Sequence, residues 1–259
     1  MAASAHRSRV LTAAIGLPLL AACLLLGGWW IFFLVLAASL AGLWEFYGFF
    51  PCPGPAARVL GLGLGALTVW LGFAHGPGAA LAVPLGAFWL EEILRLWLPG
   101  DTRPRWGLAA SLLYVPASLQ FLTGFGPGET ALVLASVMAT DTGAYYAGHA
   151  VGGPKIWPQV SPKKTWAGSA GGLAASVAVC LAAGLAWGKA SPGAFALLGA
   201  LLSVGSQLGD FMESALKRAA GIKDSGALLP GHGGILDRID GLIPAVLIYA
   251  LARTVTHYL

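Results

Sequence analysis

Charge is what this sequence has least of. Lys, Arg, Asp and Glu together make up 10% of its 259 residues, where a soluble domain carries about 25%. So few ionisable groups cannot cover a water-facing surface. With hydrophobic residues at 57%, lipid is the surrounding that fits. Cysteine is sparse too. Cys23, Cys52 and Cys180 stand far apart, two of them inside apolar runs, and no metal or redox spacing exists. They read as small buried hydrophobes. Strand patterning is also missing: no ten-residue alternation of apolar and polar positions recurs, so strands are not expected. Repeats and low-complexity tails are absent.

Long apolar runs are what the sequence has in quantity. A spanning helix needs about 20 mostly apolar residues. Nine candidate segments emerge: 10–26, 29–49, 58–74, 79–98, 107–125, 129–149, 167–188, 193–213 and 241–258. Gly and Pro punctuate most of the joints, and the 37 glycines suit close helix contacts in lipid. The expected fold is all-α: one polytopic membrane helix bundle over residues 1–259, with 1–130 mainly scaffold and 131–259 carrying the chemistry. The basic, apolar start resembles a signal peptide, but apolar sequence resumes at Trp29 after only Gly27 and Gly28. It therefore reads as a retained first hairpin.

Basic residues set the orientation. With the N-terminus in the cytoplasm, that side holds Arg7, Arg9, Arg58, Arg95, Arg103, Arg105, Lys155, Lys163, Lys164, Lys217, Arg218, Lys223 and Arg238, while the other side holds only Lys189 and Arg253. This asymmetry is the positive-inside pattern. The net charge of +4 thus belongs to topology and anionic headgroups, not to nucleic acid. The longest cytoplasmic segments are then 150–166 and about 214–240.

Those segments hold the chemistry. From Asp210 to Asp240 the chain reads DFMESALKRAAGIKDSGALLPGHGGILDRID, the densest run of charge it has. Charge wedged between apolar helices is expensive and points to function. Asp210 and Glu213 share a helix face by their i, i+3 spacing, with Lys217 one turn on. Glu213 and Lys217 also fit an ordinary helix-end ion pair. Asp210 follows an apolar stretch with no basic residue within a turn, so it needs a cation. Asp237 and Asp240 repeat the spacing where the last apolar segment begins, and a helix dipole alone could favour them there. However, they adjoin the turn Gly231-His232-Gly233-Gly234, and Lys223 and Asp224 precede it. A hard cation such as Mg²⁺ takes one or two carboxylates and completes its shell with phosphate oxygens and water. Lysines beside such a site make sense when the ligand is a polyanion. The glycine turn can offer successive N–H groups to that anion. His232 alone is a weak signal.

A second polar loop reads GGPKIWPQVSPKKTWAG. Lys163 and Lys164 lie between Ser161 and Thr165 at the entry to an apolar segment. A hydroxyl there can cap the helix, and a helix N-terminus favours phosphate. Upstream, TDTGAYYAGH places Asp141 within an apolar segment, where a carboxylate faces the interior and a polar or metal partner. Glu45, Glu91, Glu92 and Arg95 read as structural charges.

The run SALKRAAGIKDSGALLPGHGGILDRID closely resembles the signature of the phosphatidate cytidylyltransferases, or CDP-diacylglycerol synthases. It carries Ser214, Lys217, Arg218, Lys223, Asp224, Pro230, His232, Gly233, Gly234, Asp237, Arg238 and Asp240 at that family's spacing. DTGAYYAGH and SPKKTWAG resemble two further family motifs in the expected order. Two positions depart: Ala167 stands where the family usually has Glu, and His149 where it often has Arg. The resemblance implies transfer of the cytidylyl group of CTP to phosphatidic acid, giving CDP-diacylglycerol and pyrophosphate. It implies dependence on Mg²⁺, with a second cation such as K⁺ a further candidate. It also implies a homodimer in a bacterial inner membrane, with the site facing the cytoplasm. Asp210, Asp237 and Asp240 are then the metal ligands, with Asp224, Lys217 and His232 completing the catalytic set. Lys163, Lys164, Ser161, Thr165, Arg218, Lys223, Gly233, Gly234, Arg238 and Asp141 are the substrate contacts.

Three rival readings stand beside it. A transporter could use Asp141 and Glu45 in an ion pathway, but that leaves a polar motif confined to one membrane face unexplained. A CDP-alcohol phosphotransferase would carry DGxxAR with flanking Asp, which is absent. A cytidylyltransferase acting on another lipid phosphate would share every motif.

Overall fold

A computed structural model describes residues 14–16, 18–49, 55–97, 107–228 and 233–259. His232, Gly231, Pro230, Cys52, Arg7, Arg9, Arg103 and Arg105 lie outside them. The chain is an all-α polytopic membrane protein. Its helices are α1 (Gly28–Phe46), α2 (Pro55–His75), α3 (Pro77–Trp97), α4 (Gly107–Tyr114), α5 (Pro116–Leu119), a 3₁₀ turn (Gln120–Gly124), α6 (Pro127–Val151), α7 (Trp166–Trp187), α8 (Pro192–Ala219), α9 (Leu236–Ile239) and α10 (Leu242–Val255). Among the described residues, six stretches are long and apolar enough to cross a membrane: Gly28–Phe46, Pro55–His75, Pro77–Arg95, Gly107–Gly124, Trp166–Trp187 and Pro192–Ala219. Helix α6 has the length but carries Glu129, Asp141 and several hydroxyls, and α10 has only 14 residues.

One expectation needs correcting. Residues 150–166 are not wholly loop: Lys155–Trp157 (β1) and Ser161–Thr165 (β2) pair antiparallel, with Lys155 opposite Thr165 and Trp157 opposite Ser161. Strands of three and five residues are too short to leave the ten-residue alternation by which a membrane strand is recognised.

The helices pack as two compact units. The first comprises the chain up to Phe125 together with Asp224–Leu236. Its core is Leu43, Val69, Leu112, Val115 and Leu119. Small residues on α2 make room for larger neighbours: Gly61 lies against the Tyr47 ring, Gly65 against Leu43 and Gly72 against Gln120. Tyr47 Oη and Ser111 Oγ share a buried hydrogen bond of 3.1 Å. Glu91 accepts from the backbone of Leu108 and Ala109, closing the free N–H groups at the start of α4. Glu92 pairs with Arg95 at 2.5 Å.

The second unit comprises Gly126–Lys223 and Asp237–Leu259. Here α6 and α7 pack at backbone distance. A side chain at Gly143, Gly171 or Gly172 would strike the facing helix, the pattern of small-residue contact that apolar solvents favour. A buried ladder of hydroxyls crosses the unit. Ser136 and Ser176 share a hydrogen bond of 2.6 Å, and Ser176 donates to Gly199 O at 2.7 Å. Phe195, Leu198, Leu202, Val246 and Tyr249 complete the core. Leu185, Trp187, Leu251 and Val255 point outward, as side chains facing hydrocarbon should.

Candidate active site

Helix α8 builds the centre of the site. Its 28 residues span about 42 Å, more than the roughly 30 Å of a bilayer's hydrocarbon. Its last turns therefore reach past the apolar layer, and these turns hold Asp210, Glu213 and Lys217. Gly209 lets the chain at Asp240 approach. A Cβ at that position would collide with the Asp240 carbonyl and come within 2.7 Å of the Pro244 ring. Gly241 rests on Ser206 in the same way. Two small residues on α8 thus place Asp237 and Asp240 beside Asp210 and Glu213.

Lys217 links the two acidic pairs. Its Nζ donates to Glu213 Oε2 at 2.8 Å and to Asp237 Oδ1 at 2.5 Å. Glu213 is fully buried and Lys217 only 12% exposed, so this is an enclosed ion triad rather than a surface pair. The other Glu213 oxygen, Oε1, is buried with no hydrogen-bond partner among the described residues. Asp240 acts on Glu213 from close by. Burial first, then the charges of Asp210 and Glu213, raise the Asp240 carboxyl well above its ordinary range. A proton or a cation is what such a pair of carboxyls lacks.

The hairpin supplies a second lysine. Lys164 Nζ stands 2.5 Å from Asp210 Oδ2 and lies over the Phe211 ring, 4.4 Å from its centroid. Trp157, on the other strand, sits against the same ring at 6.4 Å. Asp141, on α6, feels the charges of Asp210, Lys164 and Arg238. Seven of the sequence-predicted residues therefore gather in this unit: Asp210, Asp237, Asp240, Lys217, Lys164, Arg238 and Asp141.

The others are placed differently. Thr165 is buried and its hydroxyl accepts from Gly168 N at 3.0 Å, capping α7. Lys163 and Ser161 lie on β2, and Arg218 donates to Ile222 O at 3.2 Å, closing the last turn of α8. Lys223 is exposed beyond that turn. Among the described residues none of these four is bonded to the carboxylates. Asp224, Gly233 and Gly234 belong to the first unit, where Gly233 has a φ of 84°, open to glycine and strained for other residues. His232 lies outside the described residues. Sequence reasoning left Glu213 half-explained as a helix-end charge. Its full burial is the property that an i, i+4 spacing to lysine cannot reveal.

The donor set suits a hard cation, since every ligand offered is a carboxylate oxygen. Among the described residues no three acidic, His or Cys side chains surround one point. The unpartnered Glu213 oxygen is a further place for positive charge.

Comparison with known proteins identifies the family. A profile of the cytidylyltransferase family matches residues 7–256. A phosphatidate cytidylyltransferase of Brucella suis biovar 1 is 51% identical over 146 residues, 53% of each chain. One from Mycobacterium bovis is 37% identical over 202 residues, 70% of this chain and 66% of that protein. One from Bacillus subtilis is 47% identical over 108 residues, 41% of this chain and 40% of that protein. The chain thus spans about half the length of the Brucella relative it matches. With the profile covering nearly its whole length, the chain belongs to the cytidylyltransferase family.

Proposed function

We propose that this chain transfers the cytidylyl group of CTP to phosphatidic acid, releasing pyrophosphate and leaving CDP-diacylglycerol in the membrane. The observation that carries the reading is the gathering of Asp210, Glu213, Asp237 and Asp240 around two buried-edge lysines, Lys164 and Lys217, at the end of a spanning helix. The relatives' shared name, phosphatidate cytidylyltransferase, supports the substrates.

In this reaction an oxygen of the lipid phosphate attacks the α-phosphorus of CTP. The bond between that phosphorus and the bridging oxygen to the β-phosphate breaks, and pyrophosphate leaves with the electron pair. The attacking phosphomonoester is already largely anionic near neutral pH, so no strong base is required. The difficulty is to bring two anions together. Lys164 and Lys217 each hold a carboxylate here, and phosphate oxygens can compete for their ammonium groups. Asp210 and Asp237 would hold Mg²⁺ while phosphate oxygens take up those lysines, with Asp240 as a further ligand. Bound Mg²⁺ would screen repulsion between the reactants and stabilise the leaving pyrophosphate. Asp141 and Arg238 adjoin the same charges and serve to orient substrate. The excess of Lys and Arg in the polar segments supports a cytoplasmic site. Small-residue helix faces permit a homodimer.

The test is direct. Purified protein in lipid is given radiolabelled CTP, phosphatidate and Mg²⁺, and the lipid phase is scored for cytidine. A lipid-soluble product that requires both substrates and the metal supports the reading; label that stays in water overturns it.

A further inference from the structure

Glu45 ends α1, and its side chain is only 4% exposed. Its carboxylate accepts three hydrogen bonds: from Ser225 Oγ to Oε2 at 3.0 Å, from Ile235 N to Oε1 at 3.0 Å, and from Leu236 N to Oε2 at 2.8 Å. The donors lie 180 to 191 positions further along the chain. Two glycines come close enough to touch it. A Cβ on Gly226 would collide with Glu45 Oε1, and one on Gly234 would meet Ser225 Oγ and Glu45 Oε2. The segment 224–236 thus closes on one buried carboxylate at both its ends. Ser225 and Gly226 meet it on the way in, and Gly234, Ile235 and Leu236 on the way out.

A carboxylate suits this post because it accepts at two oxygens and donates nothing. An amide would offer one oxygen and present two N–H groups to a place that already has three donors. Charge-assisted bonds to backbone N–H are also the stronger kind. Leu236, which is fully buried, is joined by a single peptide bond to Asp237, the partner of Lys217. Whatever fixes the amide of Leu236 therefore fixes where the chain enters Asp237. Gly233 and Gly234 are carried on the same tether.

We propose that Glu45 is a positioning residue for cytidylyl transfer, holding Ser225, Ile235 and Leu236 and so fixing the point from which the chain runs on to Asp237. This rests on the reaction proposed above, so the experiment has one arm that depends on turnover and one that does not. In the first, the purified full chain and its Glu45→Ala, Glu45→Gln and Ser225→Ala variants are assayed in lipid nanodiscs against each substrate in turn. Glu45→Ala should raise KM for CTP about tenfold or more and lower kcat, the consequence of leaving buried donors unpaired. Its KM for phosphatidate should stay within about twofold of the parent. Glu45→Gln, which keeps one acceptor oxygen, should fall between. Ser225→Ala, the mildest change, should move KM for CTP by a few-fold in the same direction. A fall in maximal rate with both KM values unchanged would mean only that less protein is folded, and would overturn the proposal. In the second arm, tryptic cleavage after Lys223 is timed without substrate. It should quicken about tenfold in Glu45→Ala if the tether is lost. If the parent transfers no cytidylyl group, the reaction is refuted and this arm alone decides. Faster cleavage upholds the tether, and unchanged cleavage sinks it.

Discussion

The ammonium of Lys164, on the hairpin before α7, stands 2.5 Å from the Asp210 carboxylate near the end of α8. Two segments separated in sequence by all of α7 and most of α8 thus meet as opposite charges. Neither group is deeply enclosed, Lys164 being 27% and Asp210 36% exposed, so an incoming anion can compete for the lysine and a cation for the aspartate.

The first expectation concerns the carboxylates. Asp210→Asn and Asp237→Asn should each lower turnover of CTP by about 10²–10³, the loss typical when one charge-stabilising group is removed from a site. Both variants should still purify from the membrane in parental yield. Lys189→Ala serves as the control. Lys189 lies between α7 and α8 at the end away from Asp210, and among the described residues only its backbone is bonded, to Tyr258 O at 2.8 Å. Its turnover should match the parent.

Lys217 should prove structural as well as functional. Lys217→Met takes the ammonium away from Asp237 and from the fully buried Glu213, a change that costs about 3–5 kcal/mol in buried ion pairs. The thermal midpoint in detergent should fall sharply. Adding Glu213→Gln should recover much of the lost stability, because one of the stranded charges is removed, while turnover stays low. Full recovery of turnover in the double variant would remove Lys217 from the mechanism.

Asp240 sets a pH dependence. Its carboxyl is raised by burial and by the charges of Asp210 and Glu213. An acid raised on folding binds its proton more tightly in the native state. Stability is therefore greatest below the ordinary aspartate value, near 3.9, and declines as pH rises through the raised one. In chelator, the thermal midpoint should drop over that interval, and Asp240→Asn should flatten the curve. A parental curve already flat there would contradict the assignment.

Gly209 gives a test by shape alone. Gly209→Val would drive a side chain into the Asp240 carbonyl and the Pro244 ring. Overpacking of this kind typically costs about 1–3 kcal/mol. Turnover should fall further than stability, since Asp240 would be pushed away from Asp210. Gly63→Ala, at a glycine with open space around it, should be silent in both measurements.

Much of this could be read in the sequence because its signals are local. Apolar run length marked the helices, and i, i+3 spacing put Asp210 with Glu213 and Asp237 with Asp240. Motif order placed SPKKT before the second charged segment. What escaped had no local mark. Nothing near Glu45 announces Ser225 or Leu236, because hydrogen bonds across 180 positions leave no periodicity. Glu213 looked like a partner for Lys217 and is one, but its full burial leaves no trace in an i, i+4 spacing. The hairpin was too brief to register as strands, yet it is what carries Lys164 to Asp210.

The order of segments carries a last consequence. The first unit takes back Asp224–Leu236 after the chain has already made most of the second. A gene split between Phe125 and Gly126 would therefore yield a first fragment that lacks Asp224–Leu236 and a second that holds all of its own unit together with that borrowed strap. Such fragments must be synthesised together to complement one another, and grafting either half from a distant relative would carry a mismatched strap. Inheritance should treat the two halves as a single piece.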